Sequence, residues 1–262
     1  MPIITIIACR IFEDEIAHLI ESDTDIDELI IVETEGHQGL AKKLTERGYP
    51  YTTVPFEKLP GKQENENKFT LIINIIQFGL EAAPSALKDK VYSKIEQFTE
   101  LSNIILLLYG LCGNVLANVE KDFEEVPCNI HILKEENGEI VDDCIGALLG
   151  GREKYLEALK DSKGVGIYFL SPMGSANWRE LLLSSGLVPD PDDLEMTKYI
   201  FDYSGYKKVA KVNTGLMYER NFDANVEEFA KAFNFDIVDI KGSTGLIENC
   251  YKKAKSKIME NE

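Results

Sequence analysis

The chain has 262 residues, of which 44% are hydrophobic, enough to bury one large core. A formal net charge of −17 argues against a nucleic-acid partner, because phosphate binding needs clustered Lys and Arg to release counterions. Neither a basic, small-residue leader at Met1-Pro2-Ile3 nor an apolar run of about 20 residues is seen, so secretion and a membrane span are not expected and the cytoplasm is.

The first element is Ile3 to Ile7, a β-branched run apolar on both faces, as in a strand buried between helix layers. It stops at Ala8-Cys9-Arg10. Residues 11–20 then place Ile16, Leu19 and Ile20 on one helical face, with Glu13, Asp14 and Glu15 in the first turn, where acids favour the helix dipole. A second strand is predicted over 28–32, a helix over 38–47 ending at Gly48, and a short strand over 51–54. Pro55 to Asn67 is polar and without apolar period, hence a surface loop. Helices are predicted over 69–80 and 85–99, followed by the most hydrophobic strand, 103–109, expected at the sheet centre. Further strands are predicted at 129–133, 165–170, 209–212 and 236–240, with helices near 144–160, 175–186, 190–202, 223–233 and 244–258. This alternation predicts an α/β fold, a mostly parallel sheet with helices on both faces. One domain over 1–262 is expected, and an echo of strand then Cys at 3–9 and 104–112 leaves room for two similar Rossmann-like halves, 1–100 and 101–262.

In open α/β sheets ligands bind beyond the carboxyl ends of strands. Cys9 and Cys112 hold that position, and Cys144 opens a helix that a preceding Asp can cap. In Tyr109-Gly110-Leu111-Cys112-Gly113-Asn114 the glycines permit a tight turn and close backbone approach, so Gly110, Gly113 and Asn114 are candidate cofactor-binding residues. Five cysteines with no CxxC pair disfavour a disulfide framework and a zinc ribbon. Three thiolates arriving from three loops would hold Zn2+ with an open position, or a [4Fe–4S] cluster with one exchangeable iron; buried thiols without a metal are the rival reading. Cys128 and Cys250 read as packing residues, and His131 as a structural histidine. His37, in the turn Glu35-Gly36-His37, is a ligand or acid–base candidate, and Arg152 a candidate anchor for an anionic substrate. Trp178, after the strand end at Ser171-Pro172, is a candidate pocket wall. No GxGxxG, Walker A or Ser-His-Asp signature is present.

The set Ala8-Cys9-Arg10, Tyr109 to Asn114, Asp143-Cys144-Ile145, Leu149 to Tyr155 and Tyr168 to Pro172 resembles the uncharacterised prokaryotic family catalogued as domain of unknown function 1638, over most of residues 3–250. The resemblance implies that Cys9, Cys112 and Cys144 belong to a common core, and it implies no reaction. It also implies a setting of methanogens and other anaerobes, beside corrinoid-dependent methyl transfer. The resulting expectation is a metal- or cluster-dependent protein of one-carbon metabolism, transferase-like, acting on a small molecule or a corrinoid protein. Its alternatives are a non-catalytic carrier or chaperone for a metal, cluster or corrinoid, and a thiol redox sensor.

Overall fold

A computed structural model describes residues 2–61, 68–188 and 190–259. The polar run Gln63 to Asn67 lies outside them. Among the described residues, nine parallel strands form two sheets. The larger contains β1 (Ile3–Cys9), β2 (Glu28–Val32), β3 (Thr52–Val54), β4 (Thr70–Ile76), β5 (Ile104–Leu108) and β6 (Asn129–Ile132), in the order β3-β2-β4-β1-β5-β6. Alternate residues of β1 serve opposite faces. Ile4, Ile6 and Ala8 pack with α1 (Glu13–Ser22), α2 (Gln38–Glu46) and the C-terminal helix, whereas Ile3 and Ile7 pack with α3 (Pro84–Phe98) and α4 (Val119–Asp122). Burial on both faces is why these strands read as unbroken apolar runs.

Two expectations about this sheet are corrected. Residues 69–80 are not a helix: Thr70–Ile76 is β4, buried along its whole length between β2 and β1. Leu71, Ile73 and Ile75 face one layer and Ile72 and Ile76 the other, so the sequence has no alternation to separate strand from buried helix, and its β-branched content decides. The centre of the sheet is therefore β4 and β1, and β5 stands one place from the edge strand β6.

The smaller sheet has the order β7-β8-β9, from Gly166–Leu170, Tyr206–Asn213 and Asp236–Lys241. The helix expected over 144–160 breaks at Gly150-Gly151, both at positive φ (93° and 119°), into α5 (Cys144–Leu149) and α6 (Arg152–Asp161). The next is also two pieces, α7 (Pro172–Ala176) and α8 (Trp178–Ser184). α9 (Leu194–Tyr203) and α10 (Phe222–Phe233) cover the smaller sheet with a separate aromatic core, while α11 (Gly245–Met259) returns to the larger one. The larger sheet takes the strands up to β6 and the smaller one those from β7 on, with β5 paired directly to β1. Among the described residues no helix is long and apolar enough to cross a membrane.

The topology fixes where a crevice opens. β1 leaves through α1 towards β2, and β4 leaves through α3 on the other face towards β5. Adjacent strands with opposed exits part at their carboxyl ends, which here carry Cys9 and Gln77.

Candidate functional site

A cavity of about 370 Å³ occupies this crevice, and Cys9, Cys112 and Cys144 all line it. Cys9 ends β1, and Cys144 is the first residue of α5. Cys112 sits in a turn beyond β5 in which three successive residues, Cys112, Gly113 and Asn114, have positive φ (47°, 73° and 67°). Glycine takes that conformation freely, but for Cys112 it is strained, so the surrounding contacts must hold it. They are backbone hydrogen bonds to the segment before α5: Leu111 N donates to Val141 O (2.8 Å) and Cys112 N to Asp142 O (3.3 Å). Gly110 makes this approach possible, since a Cβ there would lie 2.7 Å from Val141 O and 2.8 Å from Asp143 Cα. The sequence thereby brings two cysteines 32 positions apart to one wall.

Asp143 caps α5, its Oδ1 accepting from Gly146 N at 2.7 Å, and also lines the cavity. Burial pushes its carboxyl above the usual range, and the neighbouring charge of Asp142 adds to the effect. The rest of the wall is mostly apolar, including Phe12, Phe78, Leu80, Leu87 and Leu181, with the side chain of Gln77 as its neutral amide. Among the described residues, no Lys, Arg or His side chain lines the cavity.

Beside Gln77 runs a partly buried ionic chain from Arg10 to Glu13 on α1 and to Glu180 on α8. Arg10 donates from Nε to Glu13 (2.9 Å), and from its terminal nitrogens to Gln77 Oε1 (3.4 Å), Glu180 Oε2 (3.3 Å) and Asn177 Oδ1 (3.3 Å). Gln77 Nε2 donates to Glu180. Lys43 pairs with Glu13 (2.7 Å) and Asp14 (2.8 Å). Glu13, Asp14 and Glu15 are each 2% exposed or less, because α7 and the segment after β8 lie over this end of α1. Gly39 leaves room for the Glu13 carboxyl, which a Cβ would strike. Burial, with the charge of Asp14 beside it, pushes Glu15 up to about 8. Asp14 is also raised by burial, against the pull of Lys43.

The other sequence candidates stand elsewhere. Trp178 is 3% exposed and packs edge-on against Phe229 and Phe233 in the core of the smaller sheet, so it is not a wall of the cavity. Arg152 opens α6 on the outer surface and pairs with Asp142 at 3.4 Å. His37 lies outside the lining, its Nδ1 2.5 Å from the Thr34 carbonyl. Gly113 lines the cavity, Gly110 supports it from behind, and Asn114 is exposed. Cys128 is buried in the larger core, and Cys250 is half-buried with Sγ donating to Lys134 O at 3.4 Å. His131 pairs with Glu120 (3.8 Å). No cysteine forms a disulfide, and no group of three His, Cys, Asp or Glu among the described residues stands in ready-made metal-binding geometry. Sequence reasoning missed Gln77 and the Arg10–Glu13 chain.

A family model described as protein of unknown function (DUF1638) matches residues 75–251. No curated protein and no solved structure matches the chain.

Proposed function

The chain belongs to the DUF1638 family, whose description states no reaction, and we propose that it is a thiolate-metal protein using Cys9, Cys112 and Cys144. One observation supports the reading: three cysteines from distant segments line one cavity at the carboxyl edge of the larger sheet. Thiolates are soft donors, so the set fits Zn2+ or a [4Fe–4S] cluster in chemistry, and coordination would have to draw the three loops together on binding. When bound, the group would supply a Lewis acid or an activated thiol, the chemistry of methyl transfer to or from a small molecule or corrinoid protein. The chain's own residues contribute around it. Asp143, its carboxyl raised above the usual range by burial, lines the cavity beside Cys144, and the Gln77 amide is held by Arg10 and Glu180.

A non-catalytic carrier is the second reading. It is favoured by the lining itself, where Asp143 and Tyr109 are the only ionisable side chains besides the thiols among the described residues. Both readings need metal at the same cysteines. The test is metal content and the ultraviolet–visible spectrum of protein purified without oxygen, for wild type, Cys144→Ser and Cys250→Ser, with circular dichroism on each. Wild type and Cys250→Ser should carry the same metal and Cys144→Ser none, all three remaining folded. Metal-free wild type, or full retention by Cys144→Ser, refutes the proposal. Turnover with a thiol substrate would then separate enzyme from carrier.

A further inference from the structure

Cys9, Cys112 and Cys144 line one cavity, yet they do not converge on one point. Among the described residues no three His, Cys, Asp or Glu side chains stand where they could hold a single metal ion, and that includes these cysteines and the adjoining Asp143. A tetrahedral Zn2+ with Zn–S bonds of about 2.3 Å needs its sulfurs within about 4 Å of one another. To close on an ion, the chain would have to move the elements that carry the thiols.

Each of those elements is held. Cys9 is the last residue of β1 and pairs in register with Ile76 of β4, at the centre of the larger sheet. Cys112 lies in the left-handed turn that Leu111 N and Cys112 N bind to Val141 O and Asp142 O, with Gly110 against the same segment. Cys144 opens α5, which is fixed by the Asp143 cap and by Leu148 and Leu149 in the larger core. Gathering the three at one point would break ladder, turn or cap hydrogen bonds and add to the strain that Cys112 already carries at φ 47°.

A group several ångström across removes the conflict, because each thiolate then meets a different atom of it. In a [4Fe–4S] cluster the cysteines bind separate irons, so a single ion asks for most movement of these loops and a cluster for least. The cavity, at about 370 Å³, has room for such a body. Its lining suits a soft, water-sensitive group: the thiols stand among Phe12, Phe78, Leu80, Leu87 and Leu181, and no Lys, Arg or His among the described residues lines it.

We propose that Cys9, Cys112 and Cys144 hold a [4Fe–4S] cluster and not a single zinc ion, leaving one iron without a cysteine. The proposal rests on the thiolate-metal reading and chooses between its two cofactors. An iron without a thiolate is the first to leave. On oxidation by ferricyanide, [4Fe–4S]2+ gives up one electron to the oxidant and releases one Fe2+, and [3Fe–4S]+ remains. The experiment measures iron, acid-labile sulfide and zinc in wild-type protein purified without oxygen, and records electron paramagnetic resonance before and after ferricyanide. Wild type should contain about four irons and four sulfides per chain. Ferricyanide should release about one iron in four and raise the [3Fe–4S] signal, which added ferrous iron and a reductant should reverse. Cys9→Ser, Cys112→Ser and Cys144→Ser should each hold no cluster, whereas Cys128→Ser should hold as much as wild type, with circular dichroism confirming the fold of all four. One zinc per chain without sulfide overturns the proposal and leaves the thiolate-metal reading standing. Wild type with neither metal overturns both. A cluster that keeps all its iron through oxidation overturns the assignment of one iron without a cysteine.

Discussion

Replacing Glu15 by Gln tests the buried acidic cluster at the start of α1, over which α7 and the segment after β8 lie. Glu15 is 2% exposed, with Asp14 next to it, Thr214 reaching it from the segment after β8, and Lys43 one carboxylate away. Its ordinary value of 4.5 is raised to about 8. The folded protein therefore keeps a proton that the unfolded chain releases, and in that window stability falls as pH rises. The penalty is absent below about 4.5, grows up to about 8 and is constant above. Each pH unit inside the window is worth about 1.4 kcal/mol, so from pH 5.5 to 7.5 wild type should lose about 3 kcal/mol relative to a variant that cannot ionise there. Gln keeps the shape and the hydrogen-bonding capacity, and the groups common to both proteins cancel in the difference. Urea unfolding of wild type and Glu15→Gln at half-unit steps from pH 5 to 9 measures it. The variant should become progressively the more stable of the two, with the divergence ending near pH 8. Parallel curves would mean that Glu15 is ionised in the folded protein and that the interface reaches solvent.

Gly110→Ala should cost about 2–3 kcal/mol, because the new Cβ meets backbone atoms of Val141 and Asp143 that cannot turn aside, and should speed the reaction of Cys112 and Cys144 with a thiol reagent as their loops part. An unchanged melting temperature and unchanged thiol rates would show that the two loops do not depend on this approach. Trp178→Phe should cost about 1–2 kcal/mol as a packing change in the smaller core and leave metal retention and the thiol rates of Cys112 and Cys144 as in wild type. A change in either with the fold intact would return Trp178 to the site.

The strands at 3–9, 28–32 and 104–108 were legible because short apolar runs of five to seven residues, rich in Ile and Leu and bounded by polar turns, suit little else. β4 has the same composition, yet its sequence predicts a helix. The Phe69 to Leu80 segment is long enough for either, and both faces of β4 are buried, so the period that tells strand from helix is erased. The division into two sheets was not legible for a different reason. It depends on which strands pair, and β5 beside β1 is a long-range choice that no local pattern encodes. Gly150-Gly151, by contrast, announced the break between α5 and α6 in plain composition, and only the continuous apolar pattern around it argued for one helix.

The candidate site divides along the same line. Cys9, Cys112 and Cys144 could be found because each stands where the chain leaves a strand or opens a helix, and the carboxyl edge of a parallel sheet gathers such positions wherever the strands lie in the order. Gln77 could not: it is the first residue beyond β4, and a segment read as a helix has no strand end to mark. Glu13, Asp14 and Glu15 suit a helix-dipole role that α1 alone would satisfy, yet they are buried by elements more than 150 positions away, and that burial pushes Glu15 up to about 8. The placement of Arg152 and the omission of Arg10 turn on the same cause. Sequence counts charges without their partners, and here the fold supplies the partners: Asp142 pairs with Arg152 on the outer surface, while Glu13 and Glu180 pair with Arg10 beside Gln77. Which charged side chains reach the cavity is thus settled by contacts between segments far apart in the chain, and a count of charges along the sequence does not contain them.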